Sequence, residues 1–385
     1  MTENSCEVRF ARVDGREGSK PRACYLRDMS EHSNPREHST NTPNAAKSSA
    51  FAAVPIPSAP LGGSIEPLLG KTIAVLGYGN QGRAQALNLR DSGLRVIVGG
   101  RAGSKRLEAA TDEGFEAMEL SCAAAKADLA IVALPDQSQP AAWGRWIESA
   151  LPHGAVVGFV HGFAIRFGFI EPRADLGVVL VAPKGPGATV RGRYEEGLGI
   201  PALVAVHREN EAQTARSTAL AWGAGIGCAR SGLIETTFAG EAESDLFGEQ
   251  AVLCGGLLAL VQESFDLLVE AGYPAEVAYI ECCHEVKQVA DLLYARGPDG
   301  MRRAISDTAE FGAFVAGEAL MDEHLRAKLR ALLSDVRSGA FAKRFMQDHD
   351  AGHEQFSRWR REASAHPIEA ASARVRAMMP WLRDA

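Results

Sequence analysis

KTIAVLGYGNQGRAQALNLRDSG, residues 71–93, is the stretch that decides the fold. Its opening KTIAVL is a short apolar run of the kind that forms a strand buried on both faces, and NQGRAQALNLRDSG reads as a helix. Between them Gly77, Tyr78, Gly79, Asn80, Gln81 and Gly82 spell GxGxxG. Strand before and helix after give that motif its meaning. Glycine permits the tight turn and the close approach of a pyrophosphate, whose charge meets the free N–H groups at the helix N-terminus. The reading is a dinucleotide-binding α/β unit, with a structural glycine turn as the bland alternative.

Downstream, RVIVGG, DLAIVALP, AVVGFVHG, GVVLVAPKG and ALVAVHR continue the alternation of apolar runs with helical stretches, as a helix-covered parallel sheet requires. The run RVIVGG ends where an NAD enzyme carries an acidic residue for the ribose 2′-hydroxyl. Here Gly99 and Gly100 are followed by Arg101, Ser104, Lys105 and Arg106, which suit a 2′-phosphate and predict NADPH over NADH. After about Glu235 the strand-like runs stop and helical spacing takes over, as at Leu257, Leu260, Val261, Phe265, Leu268 and Val269, until AGYP supplies the Gly and Pro that end that helix. The expected division is a disordered N-terminal extension over 1–62, a Rossmann-type domain over 63–236 and an all-helical domain over 237–382. The extension holds six of the 18 prolines and shows no apolar periodicity.

Composition narrows the partners. Forty-one Lys and Arg against 48 Asp and Glu leave a net charge of −7, which gives no electrostatic reason to expect nucleic acid. The longest uncharged stretch, 48–65, contains Pro55, Pro57 and Pro60 and cannot be a spanning helix, so no membrane is expected. Seven cysteines without a CxxC pair fit neither a disulfide framework nor a zinc knuckle and point to a reducing compartment. No signal or transit pattern opens the chain, and a cytoplasmic location is expected.

In the helical half, Asp245 and Glu249 in ESDLFGEQ and Glu281 and Glu285 in YIECCHEVK form two i, i+4 pairs. Each pair continues into an apolar stripe: Val252, Leu253, Gly256 and Leu260 for the first, Val289, Leu292 and Leu293 for the second. Carboxylates on the side meant for a core are unfavourable without cations, and all-oxygen ligation suits Mg²⁺; a solvated charged face is the alternative. His161 and Lys184 follow the fourth and fifth strand-like runs, at the carboxyl ends where open α/β sheets bind ligands.

Taken in order, GYGNQGRAQALNLRDSG, LPDQSQ, FVHGF, VAPKGPG, IETTF, ESDLFGEQAVLCGG, EAGYPAEVAYIECCHEVK, ISDTAEFG and RAMMPW resemble ketol-acid reductoisomerase, in its short class I form, from about Gly70 to Leu382. The resemblance implies a nucleotide-binding domain followed by a knotted helical domain that intertwines with a neighbour, hence a homo-oligomer, at least a dimer. It also implies Mg²⁺- and NADPH-dependent conversion of small ketol acids, 2-acetolactate and its ethyl homologue, in branched-chain amino-acid synthesis. Two Mg²⁺ ions would take Asp245 as the bridging ligand, with Glu249, Glu281 and Glu285 at the remaining acidic positions. His161 and Lys184 match catalytic positions, and Ser306 the substrate-binding serine. Cofactor contacts would come from Tyr78 to Gln81, Arg101, Ser104, Asp136, Gln137, Ser138, Gln139 and Gly187. Glu285 and a metal-bound hydroxide are both sensible bases for the tertiary hydroxyl.

Ala164, Arg166, Asp307 and Phe311 depart from the family's usual HGFNIHFG and SNTAEYG, and Arg106 replaces a common serine. A paralogue acting on a related ketol acid in a secondary pathway is therefore a second reading. A metal-free hydroxy-acid dehydrogenase and a non-catalytic NADPH sensor are the others, and both leave the four carboxylates unexplained.

Overall fold

The computed structural model describes residues 61–382. All but the last two residues of the expected N-terminal extension therefore lie outside the described residues. Eight strands form one sheet in the order β3-β2-β1-β4-β5-β6-β7-β8. They are β1 (Thr72–Leu76), β2 (Arg95–Gly100), β3 (Glu116–Glu119), β4 (Leu129–Val132), β5 (Val156–Phe159), β6 (Gly177–Pro183), β7 (Ala202–Arg208) and β8 (Leu233–Glu235). Every pairing is parallel except β6 with β7, where Val181 faces Val204 antiparallel. On either side of β1, Ile73 pairs with Val96 of β2 and Leu129 of β4.

The continuous apolar runs are explained by what covers them. All five residues of β1 and all seven of β6 are buried, and alternate side chains feed two separate cores, as the strand period of two demands. Ile73, Val75, Leu129, Ile131 and Val179 pack with Trp222 on one face. Ala74, Leu76, Val132, Val157 and Leu180 pack with Trp143 and Phe159 on the other. Gly158 makes room for the largest of these groups: a Cβ there would lie 2.5 Å from the Trp222 ring. The Trp222 indole N–H donates to Gln85 at 3.0 Å.

Beyond Phe238 the described chain is helical. The first long rod runs from Phe238 to Glu270, interrupted by a π-turn at Glu249–Leu253. It ends as the AGYP reading expects, with Gly272 at φ +92°. A second π-turn, Ile280–His284, separates the short helix Ala275–Tyr279 from Glu285–Arg302, which breaks at Gly297 (φ 68°, ψ 176°) before Pro298. Phe163, Leu246, Val336 and Ala342 form a small core that joins this half to the segment after β5.

Candidate active site

The glycine loop is built as its sequence implies. Gly77 sits at φ +107°, which favours glycine. A Cβ on Gly82 would meet the Gly77 carbonyl at 2.0 Å, so the helix Asn80–Asp91 starts hard against the turn. A second helix, Gly187–Glu195, starts against the first: a Cβ on Gly187 would lie 2.2 Å from the Asn80 carbonyl. Gln81 locks the pair by donating Nε2–H to the Gly185 carbonyl at 2.8 Å. Two helix N-termini thus converge on one spot, a cradle that fits a pyrophosphate. Arg106 lies over it, its guanidinium 3.4 Å from where a Gly79 Cβ would be.

Of the other residues expected at the cofactor, Tyr78, Gln139 and Ser104 also have partners within the chain. The Tyr78 ring is buried edge-on to Phe115 and its hydroxyl donates to Glu113, which leaves only its backbone for a ligand. Burial, followed by that carboxylate, pushes the phenol above its usual range. Gln139 is buried and donates to the Leu134 carbonyl at 2.9 Å and to Asp136 at 3.1 Å, bracing the Asp136–Ser138 turn. Ser104 caps the helix Lys105–Asp112, its hydroxyl accepting from Leu107 N–H at 3.4 Å. Arg101 is exposed beside it.

At the carboxyl ends of β5 and β6, His161 and Lys184 meet the helix Phe238–Gly248. The residue that organises them is Glu241, 1% exposed. Its carboxylate accepts from Gly162 N–H at 2.8 Å, His161 Nδ1–H at 3.1 Å and Lys184 Nζ at 2.7 Å. Lys184 also reaches Asp245 at 2.8 Å, and His161 lies 3.7 Å from Asp245. Burial alone would lower the His161 pKa, but the Glu241 hydrogen bond and the charges of Glu241, Asp136 and Asp245 lift it to about 9. Burial would likewise raise Glu241, yet His161 and Lys184 hold it down to about 2. Lys184 is raised, since Glu241 and Asp245 outweigh its desolvation. Glu249, one turn on, is raised by burial and by Asp245. His161, Lys184 and Glu241 are thus held in their charged forms at neutral pH.

Among the described residues, His161, Glu241 and Asp245 are the group whose ligand atoms lie close enough to share a metal ion, within 4.8 Å. His161 Nδ1–H is engaged by Glu241, and the carboxylate oxygens of Glu241 and Asp245 are the donors that suit a hard divalent ion such as Mg²⁺. Spacing alone missed Glu241, although it is the i−4 partner of Asp245 and extends the Asp245–Glu249 ladder by one step.

Glu281 and Glu285 stand apart from this group, and the expectation that all four carboxylates sit on a core-facing side needs correction. Glu249, Glu281 and Glu285 are exposed. So is most of both stripes, with Val252, Leu253, Leu260, Val289 and Leu293 open to solvent. The physical reason is that no layer among the described residues covers those faces. Ser306, also exposed, N-caps the helix Asp307–Leu320, its hydroxyl accepting from Ala309 N–H at 3.3 Å.

A mostly parallel sheet, a glycine cradle at its carboxyl edge and an ion cluster beside it define an oxidoreductase that uses a nicotinamide dinucleotide. Residues 67–232 match the family model for the acetohydroxy acid isomeroreductase NADPH-binding domain, and residues 238–381 that for the ketol-acid reductoisomerase C-terminal domain. The chain belongs to the ketol-acid reductoisomerase family. A solved NADH-preferring ketol-acid reductoisomerase from an uncultured archean is 40% identical, with 83% of this chain and 97% of that one covered and a TM-score of 0.80. A semialdehyde dehydrogenase NAD-binding protein from Cupriavidus necator shares the fold alone, at 21% identity and TM-score 0.55 over 70% of this chain and 99% of that one.

Proposed function

We propose that this reductoisomerase converts 2-acetolactate, and its ethyl homologue, to the 2,3-dihydroxy acid with NADPH and two Mg²⁺ ions. The observation that carries the reading is the convergence of His161, Lys184, Glu241 and Asp245 beside the glycine cradle. When bound, Mg²⁺ supplies Lewis acidity to the substrate oxygens and NADPH supplies hydride. Asp245 and Glu249 would hold the metal. Protonated His161 keeps Glu241 oriented through Nδ1–H, and Lys184 presents its ammonium to the same carboxylates. NADPH is favoured over NADH by Arg101, Ser104, Lys105 and Arg106, the last already seated over the glycine loop, even though the archaeal relative is described as NADH-preferring.

The helix Phe238–Glu270 is long and apolar enough to cross a membrane by length and composition, and little of it is buried. Its first turns carry Glu241, Glu243 and Asp245, two of them buried in ion pairs, which suits a protein partner better than lipid. The partner we infer is a second copy, whose exposed Glu281 and Glu285 complete the acidic set around Asp245 and Glu249.

One assay tests the reading: NADPH oxidation with 2-acetolactate, with and without Mg²⁺, on the wild type and on Asp245→Asn. Mg²⁺-dependent turnover, lost in Asp245→Asn while NADPH still binds, is expected. Metal-independent turnover of another hydroxy acid would favour a dehydrogenase, and turnover of a different ketol acid a paralogue.

A further inference from the structure

Arg166 takes no part in the cluster above, yet it ends the segment that carries His161. It closes the one-turn helix Phe163–Arg166, and its guanidinium points to Glu243. Nε donates to Glu243 Oε1 at 2.7 Å, and an Nη lies 2.6 Å from the same oxygen. That Nη side also donates to the Arg337 carbonyl at 2.9 Å, and the Arg337 guanidinium stands 3.6 Å from the other Glu243 oxygen. Glu243 is 5% exposed, so its carboxylate is enclosed against these two guanidinium groups.

The placement is informative because of helical phase. Glu243 is two residues from both Glu241 and Asp245, which turns it by roughly 200° about the axis of Phe238–Gly248. One face of that helix is held by His161 through Glu241; the opposite face is held by Arg166 through Glu243. Both grips come from the same six residues, 161–166. The two grips hold opposite faces of the helix, beside the Lys184 contacts to Glu241 and Asp245. The helix Glu323–Ser338 adds a third support through Arg337.

We propose that Arg166 is a positioning residue: its pair with Glu243 sets the rotation at which the helix presents Glu241 and Asp245 to His161 and Lys184. This rests on the proposed function for its kinetic readout.

The test compares Arg166→Met, Arg166→Lys and the double variant Arg166→Met/Glu243→Met in the full-length enzyme. Arg166→Met should lower kcat about 100-fold, the usual scale for a misplacement near 1 Å, with the KM for NADPH unchanged. Arg166→Lys, which keeps one charged donor, should recover part of kcat. The double variant removes the buried carboxylate that Arg166→Met leaves with Arg337 alone, and should regain thermal stability without regaining kcat. Wild-type kcat in Arg166→Met, or recovery of kcat together with Tm in the double variant, would overturn the proposal. If the wild type fails to turn over 2-acetolactate with Mg²⁺, the functional reading falls separately. Amide hydrogen exchange over 238–248 then decides: exchange about tenfold faster in Arg166→Met, with β1 and β6 unchanged, supports the clamp, and unaltered exchange overturns it.

Discussion

The two halves of the chain use the same apolar residues and treat them differently. In the sheet half, β1 and β6 are covered on both faces and Trp222 is fully enclosed. In the helical half, the helix Gly255–Glu270 buries only Val261 and Phe265, while Leu253 just before it is 66% exposed and Phe311 is 73% exposed. The first half closes its core among the described residues; the second leaves much of its apolar surface uncovered by them. Apolar exposure of that extent is what the second copy inferred above would cover.

Substitutions that strike one half should leave the other's signature untouched. The largest effect is expected at Trp222→Ala. It empties the space between Gly158 and Gln85 and should lower unfolding free energy by about 4 kcal/mol in urea titration. A midpoint within error of wild type would mean that the sheet core repacks. Next comes Leu253→Asp, which should keep the circular dichroism of the folded chain but weaken self-association about 100-fold in sedimentation, or about 2.7 kcal/mol. A wild-type protein that sediments as a monomer would remove the contrast altogether.

Gly256→Ala probes how the helix Gly255–Glu270 is shaped. A Cβ there would meet the Ala251 carbonyl at 2.0 Å, and one on Gly255 the Gln250 carbonyl at 2.2 Å, so the glycine pair permits the π-turn that begins at Glu249. We expect a cost of about 1–3 kcal/mol and weaker Mg²⁺ activation, with NADPH affinity unchanged. The smallest effect belongs to Asp175→Asn in the sheet half. Arg173 donates to both Asp175 oxygens at 3.0 Å and Gly154 N–H donates at 3.2 Å. The Arg173 hydrogen bonds, foremost, hold this carboxyl well below the usual carboxylate range. A folded-state pKa below the unfolded value of about 3.9 means that the stabilisation is complete above that value and fades as pH falls. The variant should lose about 1 kcal/mol at pH 7, and the gap from wild type should narrow below pH 4. A gap that widens on acidification would reverse the assignment.

What the sequence could say follows the same divide. Six strands were legible because runs such as TIAVL and GVVLVAP are apolar throughout. β3, reading EAME, and the three-residue β8 lie outside those runs and carry no such signal. The antiparallel turn of β7 was hidden as well, since ALVAVHR reads alike in either direction. In the helical half the spacing of Asp245, Glu249, Glu281 and Glu285 was plain, but the identity of what faces them was not. An apolar stripe states that something covers it and not which chain supplies the cover. The π-turns at Glu249–Leu253 and Ile280–His284 also shift helical phase near each pair, and beyond the Gly255–Gly256 pair composition does not announce them.

Lys184 has a consequence for how the protein matures. By bridging Glu241 and Asp245 it gives the acidic cluster an internal counter-ion, so under the proposed Mg²⁺ dependence folding and ion loading would be separable events. Small metal-organised domains unfold when chelated, because their fold and their metal form one equilibrium. This chain should pass through a chelator with its fold intact and be recharged afterwards, the ion adding stability only by mass action, with the logarithm of its concentration.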